Sequence, residues 1–152
     1  MNLVIKRFEN LTPKEVYSIL KLRNAVFIVE QNCAYQDCDD NDDRAFHLFI
    51  KEKDDVVAYL RILDKGITFD EIAIGRVVVE KRHRGTGLSR KIMNKAIDFV
   101  VNEIGETSIK IQAQSYLIEF YESLGFKAIS EEYLEDEIPH IDMLLYKSIS
   151  IK

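Results

Sequence analysis

The hydrophobic positions along the chain change period several times, and each change predicts a new element. Leu3–Phe8 has the compact apolar character of a strand. Thr12-Pro13-Lys14-Glu15 reads as a helix start, with Thr12 as N-cap, Pro13 in the first helical position and Glu15 as capping-box partner. Val16, Ile19, Leu20, Val26 and Phe27 recur at helical spacing to about Val29. A polar, Asp-rich connection runs from Gln31 to Arg44, with room for a short helical turn. Ala45–Lys51 and Val56–Leu63 predict two strands joined by the turn Glu52–Asp55. Glu71–Val79 is apolar on both faces around Val77–Val79, as in a central strand covered on both sides. Leu88–Ile104 predicts a helix with Leu88, Ile92, Ala96, Phe99 and Val100 along one side and Gly105 as its cap. Ser108–Ala113 predicts a strand, Ser115–Leu124 a short helix closed by Gly125, and Phe126–Ser130 and Ile141–Ser148 two last strands. The predicted order is β α (α) β β β α β α β β, a mixed α/β fold with a mixed sheet over residues 1–152.

Composition narrows the function classes. The 152 residues suit one domain, and 47% hydrophobic with 31% charged residues is the balance of a soluble globular chain. With two prolines and no repeated or low-complexity segment, no linker is expected. Met1–Phe8 has no signal-like apolar run and no stretch is long enough to span a membrane, so a cytoplasmic location without membrane partners is expected. The net charge of −5 argues against nucleic acid as a partner. Cys33 and Cys38 lack the second Cys/His pair that a zinc site needs, and Asp37–Asp43 lacks the glycine and glutamate of a calcium loop, so no metal is expected.

The charge is uneven. Acids gather in Asp37–Asp43 and Glu131–Glu137, while Lys81, Arg82, Arg84, Arg90 and Lys91 fall within eleven residues. Those bases surround Arg82-His-Arg-Gly-Thr-Gly-Leu-Ser89, between the central strand and the long helix. Free amides and the dipole at a helix start attract anions, and Gly85 and Gly87 let the backbone approach a phosphate without a Cβ between. The loop lacks the Gly-Lys-Ser/Thr of a Walker motif, and Arg90 stands where a dinucleotide fingerprint has its third glycine.

Arg82-x-x-Gly85-x-Gly87 resembles the Q/R-x-x-G-x-G/A signature of the GNAT superfamily of N-acetyltransferases, and the element order is similar to that family's core over nearly the whole chain. The resemblance implies acetyl-CoA as co-substrate. Backbone amides of about Arg84, Gly85, Thr86, Gly87, Leu88 and Ser89 would hold its pyrophosphate, with Arg82 beside them, and Val77, Val78 and Val79 would pair with the pantetheine arm and acetyl group. Gln112–Phe126 resembles the second family signature. Gln114 stands at the usual Asn position, and Tyr121 matches the tyrosine that protonates the departing thiolate. Glu71, fourteen residues before Gly85, matches the place where histone-type members carry a general base, although water chains serve in other branches. A rival reading is a non-catalytic acetyl-CoA-binding sensor or interaction module.

Leu22–Gln31 and Ile138–Met143 resemble the ElaA-like branch, with Glu137 in place of a glycine. At about 100° per residue, Arg23 lies within the apolar helical stripe and Glu30 on the same face, so the two either form a buried pair or line the acceptor site. Arg76 on the central strand and His140 near the end are further acceptor-site candidates, His140 being either an acid/base or an ordinary strand histidine. The acceptor would be a small-molecule or protein amine. A homodimer is compatible with the fold.

Overall fold

The computed structural model describes residues 1–148. Its framework is an eight-stranded sheet. The strands are β1 (Asn2–Arg7), β2 (Ala45–Glu52), β3 (Asp55–Leu63), β4 (Ile72–Val79), β5 (Ser108–Gln114), β6 (Lys127–Ala128), β7 (Tyr133–Glu135) and β8 (Ile138–Tyr146). They lie in the order β1-β2-β3-β4-β5-β8-β6, with β7 paired to β8. Every pairing is antiparallel except β4 with β5. β3 is buried on both faces from Val56 onward, as its near-continuous apolar run requires.

Helix α1 (Pro13–Arg23) starts at a complete capping box: Thr12 Oγ1 accepts from the Glu15 N–H at 3.1 Å, and Glu15 Oε1 accepts from the Thr12 N–H at 2.9 Å. Glu15 also accepts from Lys6 Nζ at 2.9 Å, tying α1 to β1. α1 places Ile19 and Leu22 with Val26 against Phe49, Tyr59 and Val78 on one face of the sheet. Helix α2 (Leu88–Asp98) covers the other face, where Ile92, Met93 and Ala96 pack on Leu48, Leu60 and Ile62. The short α3 (Ile118–Ser123) joins this second core through Tyr121.

Three features depart from the expected pattern. Both long helices end in π turns, Asn24–Glu30 and Phe99–Ile104, where the backbone bonds reach one residue further than in an α-helix. The wider turn rotates Glu30 away from Arg23, which breaks the shared face expected from uniform helical spacing. Secondly, the acidic stretch before Ile138 contains a strand, and β8 begins at Ile138 rather than Ile141. Asp136 and Glu137 form the β7–β8 turn with φ of +51° and +66°, so Glu137 adopts the left-handed conformation that a glycine would take more cheaply. Thirdly, β4 carries a bulge. Tyr59 and Arg61 of β3 pair with Val78 and Gly75 of β4, leaving an extra β4 residue, and Arg76 has a φ of +53°.

The connection between Gln31 and Arg44, a strap across the sheet, is clasped by three arginines. Arg23, wholly buried, donates from Nε to Asp37 Oδ2 at 2.7 Å and from Nη1 to Asp42 Oδ1 at 2.8 Å. Arg61 on β3 donates from Nη1 to Asp39 Oδ1 at 2.7 Å and Asp42 Oδ1 at 2.9 Å. Arg76 on β4 donates from Nη2 to Asp37 O at 3.1 Å, and its Nε lies 2.9 Å from Asp37 Oδ1. Beneath the strap, His47 is neutral because burial lowers its pKa; Nε2–H donates to Asp42 O, and Nδ1 accepts from Tyr59 O–H, both at 2.7 Å.

Removing one partner of so buried a charge network leaves the others unpaired, so Arg23→Met is expected to destabilise the fold by about 3–5 kcal/mol, read as a lower urea midpoint. For Glu15, burial raises the carboxyl pKa, but the Thr12 N–H and Lys6 outweigh burial and bring it from 4.5 down to about 2. Its contribution is therefore present above about pH 4.5 and lost as the pH falls toward 2. The stability gap between the natural chain and Glu15→Gln is expected to shrink over that window in urea titrations.

Candidate active site

Parallel strands β4 and β5 pair only at Ile72–Ile109 and Ala73–Lys110. Beyond those pairs they part, and the space between them opens into a cleft of about 790 Å³. That is the size of a small-molecule site. Gly75 to Val79 line one wall, Ile111, Gln112 and Gln114 the other, and Leu117, Phe120 and Tyr121 contribute from the segment after β5.

At one end the wall leads into the loop before α2. Gly85 and Gly87 have φ of +78° and +85°, which brings the chain round into the helix without strain. The first intrahelical bond runs from the Lys91 N–H to Gly87 O, so the amides of Leu88, Ser89 and Arg90 lack an intrahelical acceptor. Arg84 and Ser89 line the cleft. Arg84 donates to both Glu30 oxygens at 2.7 and 3.0 Å, and its Nε donates to Val79 O at 3.2 Å. The hydrogen bonds from the Arg84 guanidinium hold the Glu30 carboxyl below its usual range. Arg82 points to solvent and pairs with Glu80 at 2.8 Å; Thr86 donates to His83 O; Leu88 turns into the core.

Tyr121 is buried, with its ring edge-on to Phe120 and Phe126. Burial, with a smaller contribution from Tyr116, raises its hydroxyl above the ordinary value of 10, so the phenol keeps its proton at neutral pH. Gln114 and Gln31 exchange amide bonds across the cleft at 3.3 and 3.5 Å. Their pairing joins β5 to the base of the strap.

The other end is roofed by the strap, through Cys33, Tyr35, Gln36 and Asp39, and by the β7–β8 hairpin, through Glu135, Asp136 and His140. Tyr35 O–H donates to Asp37 Oδ1 at 2.7 Å, and Cys33 Sγ donates to Asp136 O at 3.3 Å. Burial, with the bond to Asp37, raises the Tyr35 hydroxyl pKa. His140 sits opposite Gln114 in the β5–β8 register, and its ring stacks on Tyr133 at 6.1 Å and 21°.

The structure gathers Val77, Val78, Val79, Arg84, Ser89, Gln114, Tyr121, Glu30, Arg76 and His140 around one cavity. Seven others read from the sequence do not line it: Arg82, Gly85, Thr86, Gly87 and Leu88 belong to the loop and helix start at its α2 end, and Arg23 and Glu71 lie elsewhere. Arg23 is fully buried behind Asp37 and Asp42 and does not reach the cleft wall, because the strap consumes its guanidinium. Glu71, just before the first β4 residue, does not line the cleft; with Asp70 and Lys110 it lines an adjoining depression that shares Thr68 and Phe69 with the cleft, at the end where β4 and β5 are still paired. Gln31, Tyr35, Asp39, Arg61 and Phe120 line the cleft without having been expected there. Gln31 stands within the Leu22–Gln31 motif and Phe120 within Gln112–Phe126, whereas Tyr35, Asp39 and Arg61 become visible only once the strap is laid over the sheet. Among the described residues there is no His/Cys/Asp/Glu cluster suited to a metal, and no helix long and apolar enough to cross a membrane.

Residues 10–147 match the family model described as an acetyltransferase (GNAT) domain. Protein ElaA of Escherichia coli is 39% identical over 136 residues, 88% of each chain. The crystal structure of E. coli ElaA superimposes with a TM-score of 0.88 at 36% identity, over 95% of this chain and 99% of the other. An acyl-CoA N-acyltransferase from Pseudomonas aeruginosa gives a TM-score of 0.90 at 37% identity, with the same coverage. With the fold, the cleft and these relatives in agreement, the chain belongs to the GNAT family of acetyltransferases.

Proposed function

We propose that this chain transfers the acetyl group of acetyl-CoA directly to an amine held in the same cleft. The observation that carries the reading is the parting of β4 from β5 next to a helix start with free amides, with the Tyr121 phenol on the cleft wall. The residues fit the donor. Amides of Leu88, Ser89 and Arg90, with those of the Gly85–Gly87 turn, are donors for a pyrophosphate. The open edge of β4 over Val77–Val79 has no strand partner on the β5 side and offers its backbone groups to an extended amide-bearing arm. Gln114 offers a side-chain amide from the opposite wall. Acetyl-CoA, when bound, supplies an acetyl thioester whose carbonyl carbon is open to attack by an amine.

The chain's own groups then have separable tasks. N–H groups of β4 polarise the carbonyl by donating where its charge grows. The Tyr121 phenol, kept neutral by burial, gives its proton to the leaving sulfur. The apolar wall of Val77, Val79, Leu117 and Phe120 limits water around the reacting atoms. Arg23 takes no part in this reading beyond holding the strap.

Tyr121→Phe keeps the ring packing and removes the proton donor, so CoA release at saturating amine is expected to fall about 10²-fold or more while acetyl-CoA binding is retained. Unchanged turnover at every pH would sink the proposed role. Gly87→Val places a β-branched residue at a φ of +85°. It is expected to weaken acetyl-CoA binding, measured by calorimetry, and to cost about 1–2 kcal/mol of stability. Tight acetyl-CoA binding without CoA release for any amine would support the sensor reading instead.

A further inference from the structure

An amine acceptor in neutral water is largely an ammonium ion, with a pKa of about 10.4 for an alkylamine and about 8 for an α-amine, so a cleft group that takes its proton would speed attack. Glu71 is outside the cleft. Of the cleft carboxylates, Glu30 is held by both ends of the Arg84 fork, and Asp39 by Arg61 and Arg76. Glu135 and Asp136 are exposed at the rim.

His140 is placed differently. Its Nδ1 lies 2.7 Å from Ile138 O, and a carbonyl can only accept, so Nδ1 carries the hydrogen. The neutral ring therefore has its lone pair on Nε2, which makes no hydrogen bond to any described residue. The ring is half-buried, fixed by its stacking on Tyr133, and lines the cleft beside Gln114. Tyr133 of β7 stacks on the ring, and Cys33, Tyr35 and Asp39 of the strap, Glu135 and Asp136 of the hairpin and Arg76 of β4 line the cleft with it. Tyr133 is spent as a donor to Asp142 on the same strand as His140.

We propose that His140 is the general base of the reaction, accepting a proton from the acceptor ammonium on Nε2 while Nδ1–H stays bonded to Ile138 O. The freed nitrogen lone pair forms the N–C bond, the C–S bond breaks, and the sulfur takes the Tyr121 proton. The second proton on the attacking nitrogen passes to Tyr121 through water, and the imidazolium discharges its proton to solvent at the cleft mouth. The Ile138 carbonyl stabilises the imidazolium in between. The assignment rests on the acetyl-transfer reading above.

The test compares the natural chain with His140→Asn and His140→Ala, following thiol release from acetyl-CoA with spermidine, glucosamine, lysine and peptide α-amines over a range of pH. Asn can still donate to Ile138 O but has no basic lone pair. For any amine the natural chain acetylates, both variants are expected to lose about 10²-fold or more in kcat/KM for the amine, with acetyl-CoA KM unchanged and the acidic limb of the pH profile flattened. If Asn retains the natural rate and pH profile, the base assignment is overturned while acetyl transfer stands. If no amine releases CoA from the natural chain although acetyl-CoA binds, the catalytic reading fails and the assignment with it. Two-bond ¹H–¹⁵N spectra give a readout independent of turnover: a neutral His140 protonated on Nε2 would also overturn the proposal.

Discussion

Two parallel strands can share hydrogen bonds only while their edges stay in register, and in this chain β4 leaves register early. The bulge at Arg76 inserts one residue against β3 and bends β4 away from β5 after two paired positions. Nearly everything about the cleft follows from that. The freed edge of β4 becomes a wall, the β5–β8 ladder becomes the opposite wall, and α3 brings Tyr121 to the space between. A regular β4 would have zipped onto β5 and filled the site with backbone hydrogen bonds. A residue in a sparsely populated backbone conformation must be held by its surroundings. Arg76 is held at its far end by Asp37.

The clasp that anchors Arg76 also fixes the strap. Arg23 from α1, Arg61 from β3 and Arg76 from β4 converge on Asp37, Asp39 and Asp42, so the charges cancel within the network. Charged groups this deeply buried are tolerated because each has a close partner. The network spends many of the strap's acids on structure, which is why Asp37–Asp43 is more than a solvated acidic face.

Much of this was legible in the chain, for local reasons. The Thr12–Glu15 capping box, the apolar run of the central strand and the Gly85–Gly87 approach to a helix are short-range patterns, and the structure realises all three. What escaped depends on contacts between distant segments. Helical spacing placed Arg23 and Glu30 together, but a π turn separates them, and nothing local announces that choice. The hairpin at Asp136-Glu137 lacks the glycine or asparagine that marks such a turn, so β7 hides in an acidic run. The positive φ falls on Arg76, although neighbouring Gly75 would adopt it at less cost, and the apolar pattern of the strand gives no sign of the bulge. Glu71 had the right spacing but lies on the closed side of the point where the strands diverge.

The two ends of the cleft are built from different parts of the chain. The end beside α2 uses one continuous stretch, from β4 through the glycine loop into the helix. The far end uses the strap and the β7–β8 hairpin, which touch each other through Cys33 and Asp136 and reach β5 through Gln31 and Gln114. The strap is fastened by Asp37, Asp39 and Asp42, with Tyr35 bonded to Asp37 and Cys33 to Asp136, whereas Gln36 lines the cleft without a side-chain hydrogen bond among the described residues. The arrangement is that of a cassette clipped over a chassis: the strap and hairpin come from segments distant in the chain from the β4–α2 stretch, so a side chain such as Gln36 at one end of the cleft can be exchanged without touching the other end.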